Sequence, residues 1–177
     1  MQPDPIFDIP ALERFGIDTG IFALMNSKWG WPISEIIHFT GLCLLMASVG
    51  MFDLRMMGVA RGISMQALHR LVPLGIAGWA MCAITGFLFF MTAPGQYLYN
   101  PAFQTKISLM GLAGANMAIF YLTTATAVGA AMPDDLPPAR ARLIGFISLA
   151  CWLGVITCGR LITFFRPPYH WCVWCGG

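Results

Sequence analysis

Four long hydrophobic runs constrain the fold of this chain more than any other feature of its sequence. They cover about residues 32–53, 71–93, 104–130 and 143–165, and short polar connections separate them. Each run is close to the ~20 residues that an α-helix needs to cross a bilayer. Because short connections make consecutive helices antiparallel neighbours, the pattern predicts an all-α integral membrane protein with a four-helix transmembrane up-and-down bundle over residues 31–166.

The composition is typical of a membrane protein. Hydrophobic residues make up 58% of the chain and charged residues only 10%, whereas soluble domains have about 25% charged residues. The net charge of +2 is too small to indicate nucleic-acid binding. The sequence has no phosphate-binding glycine loop, no HExxH motif and no hydrolase nucleophile motif, which argues against a hydrolase or a kinase.

The segments that flank the bundle have a different character. Residues 1–30 mix charged and apolar residues, and the apolar spacing from Leu12 to Leu24 is roughly helical. This pattern predicts an N-terminal amphipathic helix lying at the membrane interface, with a loosely ordered leader as the alternative. The tail, residues 167–177, is rich in aromatic residues and cysteine. Its Trp and Tyr residues are typical of a membrane–water interface.

The distribution of basic residues predicts an orientation in the membrane, because cytoplasmic loops carry an excess of Lys and Arg. The loops after the first and third runs hold five basic residues, against three on the side of the termini (Arg55, Arg61, Arg70, Arg140 and Arg142, against Arg14, Lys28 and Arg166). The sequence therefore favours a multi-pass protein with both termini outside the cytoplasm.

Small residues at four-residue spacing predict the faces through which the helices pack, since they let helix backbones approach closely. They occur in the second, third and fourth runs (Gly78, Cys82 and Gly86; Gly111 and Ala115; Ala150, Gly154 and Cys158). The same faces could instead make room for a flat cofactor.

Ionisable residues inside three of the runs converge on one layer near the side of the termini. With a rise of ~1.5 Å per residue, His38 lies about 10 Å into the first run, Lys106 about 8 Å into the third, and Arg160 about 10 Å from the end of the fourth. Glu35 is one turn shallower than His38 and shares its helix face. Ionisable groups at such depths are costly in hydrocarbon and are usually kept for a partner, a ligand or a pathway.

Three explanations of this layer stay open. In the first, Glu35 pairs with Lys106 or Arg160 and His38 donates to an oxygen, because buried charges need such partners. In the second, His38 binds a haem or a metal ion, while Lys106 and Arg160 face the haem propionates or another anion. In the third, the layer belongs to a proton or ion path.

A second axial ligand is harder to identify, since the chain has only three histidines. His69 starts the second run at the opposite face and is expected to be an interfacial residue. The remaining candidates are His170 from the tail, Met91 and Met110. Met91, Met110 and His38 can also lie in one layer as a copper site, because methionine and cysteine suit Cu(I).

The tail sequence HWCVWCGG holds Cys172 and Cys175 in a CxxC arrangement. It lacks the histidine that follows the second cysteine in covalent c-type haem attachment, and two cysteines do not complete a zinc site. Outside the cytoplasm, a disulfide between Cys172 and Cys175 is the plain interpretation. Metal capture with His170 and a redox-active pair are the alternatives.

Two polar features of the runs are interpreted as structural. Asp53 ends the first run and is expected to pair with Arg55, Arg61 or Arg70. Asn116 and Tyr121, in the third run, are expected to form hydrogen bonds within the bundle, by default to a neighbouring helix.

The pattern resembles an uncharacterised bacterial family of small four-span membrane proteins. The matching features are His38 with Gly41, the stretch 53–58 (DLRMMG), the second run from Pro73 to Gly86, and the stretch 103–106 (FQTK). They cover about residues 31–130. The resemblance implies the four-helix bundle and singles out His38 and Lys106, without implying an activity. More distantly, the layout is similar to copper-resistance membrane proteins of the CopD type and to b-type cytochrome subunits.

These observations favour an electron-transfer or accessory subunit over a stand-alone enzyme. The first hypothesis is a small b-type cytochrome or redox membrane subunit that binds haem b through His38 near the outer face. It would pass electrons between a periplasmic protein partner and the membrane lipid phase or a quinone. A copper-binding or copper-transport protein is the first alternative, and a non-catalytic membrane anchor of a larger complex is the second.

Overall fold

The structure, a computed structural model, describes residues 9–59, 61–129 and 135–165. All regular secondary structure in these ranges is helical, and none of the described residues forms a strand. Three helices are long and apolar enough to cross a membrane: Gly30–Met56, Met65–Thr92 and Ala139–Leu161. The prediction of an all-helical membrane protein is therefore confirmed at this level.

The described helices follow one another along the chain and are short where the sequence is mixed and long where it is apolar. In order they are α1 (Ile9–Asp18), α2 (Ile21–Met25), α3 (Gly30–Leu45), a π-helical turn (Met46–Gly50), α4 (Met51–Met56), α5 (Met65–His69), α6 (Val72–Thr92), α7 (Pro94–Leu98), α8 (Pro101–Thr123), α9 (Ala125–Gly129) and α10 (Ala139–Leu161). The π-helical turn joins α3 and α4 into the first long apolar helix.

Helix α8 corresponds to the third hydrophobic run and is as long as α10, at 23 residues. It is not among the three strongly apolar helices, because Lys106 and Asn116 lower its mean hydropathy. It also ends earlier than the run does: at Thr124 the backbone leaves helical geometry, with φ −131°. The rest of the run forms the separate short helix α9.

The long helices form two antiparallel pairs, α3 with α6 and α8 with α10, and α10 also packs against α4. At one end of the bundle α3 and α8 begin and α6 and α10 finish; we call it the His38 end. At the other, the Asp53 end, α4 and α8 finish and α6 and α10 begin. A cluster of buried apolar residues lies at the Asp53 end (Met56, Met65, Phe120, Val128, Ala141 and Ile144).

Helices α3 and α6 approach each other most closely at two glycines. A Cβ atom on Gly78 would lie 2.5 Å from the carbonyl oxygen of Gly41, and a Cβ atom on Gly41 would lie 2.7 Å from the carbonyl oxygen of Gly78. Only residues without a side chain allow this crossing. The predicted small-residue face of α6 therefore packs against α3, since Cys82 Sγ also donates a hydrogen bond to the His38 carbonyl at 3.3 Å.

The small residues of α8 behave differently from this expectation. A Cβ atom on Gly111 or Gly114 would meet nothing within 4 Å, and Gly111 and Ala115 are exposed. The contact with α10 is made on another side of α8, where Leu109 lies against Gly154. Equal spacing of small residues in two helices thus does not predict equal packing.

A buried asparagine closes the His38 end. Asn100 is fully buried, and its side-chain oxygen accepts hydrogen bonds from the backbone N–H groups of Ala102 and Phe103 at 3.0 and 3.3 Å. Its amide nitrogen donates to the carbonyls of Ile162 and Phe165 at 3.0 and 2.8 Å. One side chain thus caps the start of α8 and ties it to the end of α10.

We predict that Gly78→Ala destabilises the protein by about 1–3 kcal/mol, the typical cost of overpacking a close contact. Gly111→Ala should leave the stability unchanged or raise it by up to about 1 kcal/mol, because alanine favours helix and nothing is near it. Thermal unfolding in detergent, followed by far-UV circular dichroism, measures both. Equal unfolding temperatures for the two variants would contradict the crossing at Gly41 and Gly78.

Candidate functional site

His38 lies on the face of α3 that packs against α6, and its side chain is half-buried. Its Nδ1 is 2.7 Å from the hydroxyl oxygen of Thr85. The ring meets Phe89 edge-on at 5.7 Å between centroids. A Cβ atom on Gly86 would lie 3.8 Å from His38 Cε1, so the small residue at 86 leaves room for the imidazole. Helix α6 thus supplies all three of these neighbours.

The hydrogen bonds of Thr85 determine which histidine nitrogen carries a proton. The Thr85 hydroxyl is 2.6 Å from the carbonyl oxygen of Met81, which can only accept, so the single hydroxyl proton is donated there. With that proton donated to Met81, Thr85 accepts from His38, and we therefore assign the ring proton to Nδ1. In the neutral imidazole, Nε2 keeps a free lone pair. None of the described residues donates a hydrogen bond to Nε2.

Lys106 brings a positive charge from the other helix pair towards His38. It is half-buried on α8, and its Nζ is 3.5 Å from the position that a Cβ atom on Gly159 would take. Lys106 interacts electrostatically with His38 and with the thiols of Cys82 and Cys158. Groups from α3, α6, α8 and α10 are therefore within electrostatic range of one another at the His38 end.

The other two residues of the predicted ionisable layer point away from this region. Glu35 is exposed and accepts a hydrogen bond from Trp31 Nε1 at 3.0 Å, one turn back on its own helix. Arg160 is exposed, and its guanidinium stacks over the ring of Phe164 at 5.6 Å. Within the described ranges, Glu35 forms no ion pair with Lys106 or Arg160.

The candidates for a second ligand do not join His38 in the described part of the chain. Met91 is buried and lies beneath α1, where a Cβ atom on Gly16 would be 2.6 Å from its carbonyl oxygen. Met110 is half-buried on α8. His170 lies outside the described residues, as do Cys172 and Cys175 with the disulfide predicted for them.

Among the residues described, no group of three or more His, Cys, Asp and Glu side chains is placed to hold a metal ion. His69 lies at the opposite end of the bundle from His38, where it lines a cavity of about 250 Å³ together with Phe52 and Phe120. Of the described residues, only His38 therefore offers an imidazole to a site at the His38 end.

A second polar cluster lies at the Asp53 end and is arranged differently from the sequence-based expectation. Asp53 and Arg55 are 2% and 0% exposed. The carboxyl group of Asp53 is hydrogen bonded to Ser148 of α10, whereas Arg55 donates to the carbonyls of Ile63 and Asp135 at 2.8 and 3.4 Å. The expected pairing of Asp53 with a neighbouring arginine is replaced by a hydroxyl partner.

The interhelical hydrogen bond expected for Asn116 is present, since its amide nitrogen donates to the Ile144 carbonyl of α10 at 3.0 Å. Tyr121, for which a partner within the bundle is also expected, is instead 48% exposed. Three other important polar residues were not predicted from the sequence: Thr85, Asn100 and Ser148. Of these, only Asn100 had a readable pattern, because an asparagine directly before Pro101 is a typical helix start.

Comparison with known proteins identifies no family for the chain: no protein-family model, curated protein or solved structure matches it. The chemistry available at the His38 end follows from its own groups. They are an imidazole nitrogen with a free lone pair, an ammonium group across the bundle, and two thiols near that ammonium group.

We predict that Thr85→Val destabilises the protein by about 1–3 kcal/mol, because it leaves the half-buried Nδ1–H of His38 without an acceptor. Thr92→Val is the matched control: it lies on the same helix, and its hydroxyl donates only to the Leu88 carbonyl, at 2.7 Å. It should cost less than about 1 kcal/mol. Thermal unfolding in detergent compares them. An equal loss of stability in both variants would mean that the hydrogen bond between His38 and Thr85 does not stabilise the protein.

Proposed function

We propose that this protein is a small membrane-bound b-type cytochrome or electron-transfer subunit in which His38 Nε2 binds haem iron. The observation that carries the proposal is the hydrogen bond between His38 Nδ1 and the Thr85 hydroxyl, 2.7 Å long. Histidines that bind metals almost always donate their other ring N–H to a nearby acceptor, which fixes the tautomer and the ring orientation. His38 has this arrangement and an uncommitted Nε2.

A site with a single imidazole is better suited to binding haem than to binding copper. The porphyrin supplies four bonds to the iron, so one protein ligand is sufficient, as with the proximal histidine of globins and peroxidases. A copper site would draw on several His, Met and Cys side chains. Near His38, however, the Cys82 thiol is engaged with a backbone carbonyl, and Met91 is packed beneath α1.

Lys106 is the second residue in the proposal. Haem propionates are anions, and a half-buried ammonium group on the facing helix pair is a suitable partner for one of them. When bound, the haem would supply the one-electron chemistry, while His38 and Lys106 would hold and orient it. Glu35 and Arg160, which face outwards, would contribute only to the charge at the His38 end of the bundle.

The proposal includes a membrane arrangement. Helix α8 is taken as a fourth span, because it is as long as α10 and packs along it. Helix α1 would lie at the interface. Both termini would be on the periplasmic side of a bacterial inner membrane, as the basic loops favour. The His38 end would then face a periplasmic electron-transfer partner, with a quinone as a partner in the membrane.

A role as an accessory anchor subunit is the second candidate. It is favoured by the uncovered side of α8, where Gly111, Gly114 and Ala115 are exposed. Small residues of this kind allow a helix of another protein to approach closely. In this case the charged groups at the His38 end would be structural.

The test is a reduced-minus-oxidised visible spectrum of protein purified in detergent from its native membrane. We predict a haem b spectrum with a Soret band in the wild type, and its loss in His38→Ala because the proposed axial ligand is removed. His69→Ala, at the opposite end of the bundle, is the matched control and should keep the band. Lys106→Gln should keep the haem but bind it more weakly.

Two outcomes would reject the haem proposal. Folded wild-type protein without a Soret band would do so, and stoichiometric copper in metal analysis would then support the copper alternative. A band that persists in His38→Ala would place the haem elsewhere. If neither cofactor is present and a partner co-purifies, the anchor role is supported, and Gly111→Leu should then release that partner.

A further inference from the structure

Asp53 is the most deeply buried carboxyl group among the described residues, with 2% exposure. It lies on the same long apolar helix as His38, Gly30–Met56, but roughly 20 Å further along the helix axis. The proposed haem site therefore does not use it. An ionisable residue in a membrane-spanning helix needs its own physical explanation.

The hydrogen bonds of Asp53 are incomplete. The Ser148 hydroxyl is hydrogen bonded to the carboxyl group, but within the described ranges Oδ2 is buried without any hydrogen-bond partner. Nor does any described residue form an ion pair with Asp53. The nearest basic residue in sequence, Arg55, directs its guanidinium to the Ile63 and Asp135 carbonyls.

An ionised carboxylate in such a place is strongly destabilised, because it has left water without gaining a positive partner. Buried polar atoms without partners in a native fold commonly mark a bound ion or water that completes them. We propose that Asp53 is a binding site for a small cation, either a proton or Na⁺, which is held at Oδ2 while Ser148 orients the carboxyl group.

The packing around Asp53 limits the size of the occupant. A Cβ atom on Gly145 would lie 2.9 Å from the Asp53 carbonyl oxygen and 3.0 Å from Met56 Cβ, so the backbone of α10 lies directly against α4. Such close packing of the two helices leaves no room for an organic ligand between them at this point. The helix before the site contains the π-helical turn Met46–Gly50, a feature that is frequent beside functional residues.

The charged and titratable groups on the elements around Asp53 leave its carboxyl group as the acceptor of the proposed cation. Helix α5 contributes His69, which faces the ring of Phe52 at 6.5 Å. Helix α10 contributes Cys151, which is buried, and the exposed Arg140 and Arg142. The π-helical turn has no titratable side chain, and α4 itself adds only Arg55.

The experiment has two arms on the detergent-purified full chain. Infrared spectroscopy at neutral pH detects a proton as a carboxylic-acid C=O band, which Asp53→Asn should abolish. Na⁺ is detected by comparing the unfolding temperature in NaCl with that in choline chloride at the same concentration. In the wild type, NaCl should raise the unfolding temperature by roughly 2–4 °C, the shift for about 1 kcal/mol in a chain of this size. This rise should vanish in Asp53→Asn. Asp18→Asn, an exposed carboxyl at the end of α1, is the matched control and should change neither result.

Either positive arm supports the site and identifies its cation. If the acid band and the Na⁺ effect are both missing from folded wild-type protein, the proposal is overturned. If Asp53→Asn does not fold, Ser148→Ala takes its place as the test variant. Loss of the hydrogen bond between Ser148 and the Asp53 carboxyl group should shift the acid band in frequency, or at least halve the rise in unfolding temperature caused by Na⁺. An unchanged band and an unchanged Na⁺ effect in Ser148→Ala would also overturn it.

Discussion

The close crossing of α3 and α6 at Gly41 and Gly78 determines the geometry of the candidate haem site. Because neither glycine has a side chain, the two backbones come within contact distance of each other's carbonyl groups. One turn further along α6, Cys82 reaches the His38 carbonyl, and almost one turn beyond that Thr85 reaches His38 Nδ1. A wider crossing would separate His38 from Thr85, and the imidazole would lose both its fixed tautomer and its fixed orientation.

Buried polar side chains hold the two ends of the bundle. At the His38 end, Asn100 joins the start of α8 to the end of α10 through four hydrogen bonds. At the Asp53 end, Arg55 joins α4 to the carbonyls of Ile63 and Asp135. In an apolar interior each such bond is costly to leave unmade. These residues therefore specify which segments meet, whereas apolar contacts alone allow several alternative arrangements of the helices.

The helical membrane architecture could be predicted from the sequence, because long apolar runs are visible without knowledge of any contact. His38 and Lys106 could be identified for the same reason: ionisable residues stand out in such runs. Their partners could not. Thr85 and Ser148 are ordinary polar residues whose roles depend on the rotation of one helix against another, which a single sequence does not encode. Arg160 lies on an exposed side of α10, which could not be predicted because the spacing along a helix gives the depth of a residue but not its direction around the helix.

The π-helical turn at Met46–Gly50 links the two polar centres of the first long helix. It lies between His38 and Asp53, and a change of one residue in helical register rotates everything beyond it by about 100°. If this turn relaxed to α-helical geometry, His38 could stay against Thr85 while Asp53 turned away from Ser148. The winding of these five residues therefore sets the direction of the buried carboxyl group relative to the imidazole.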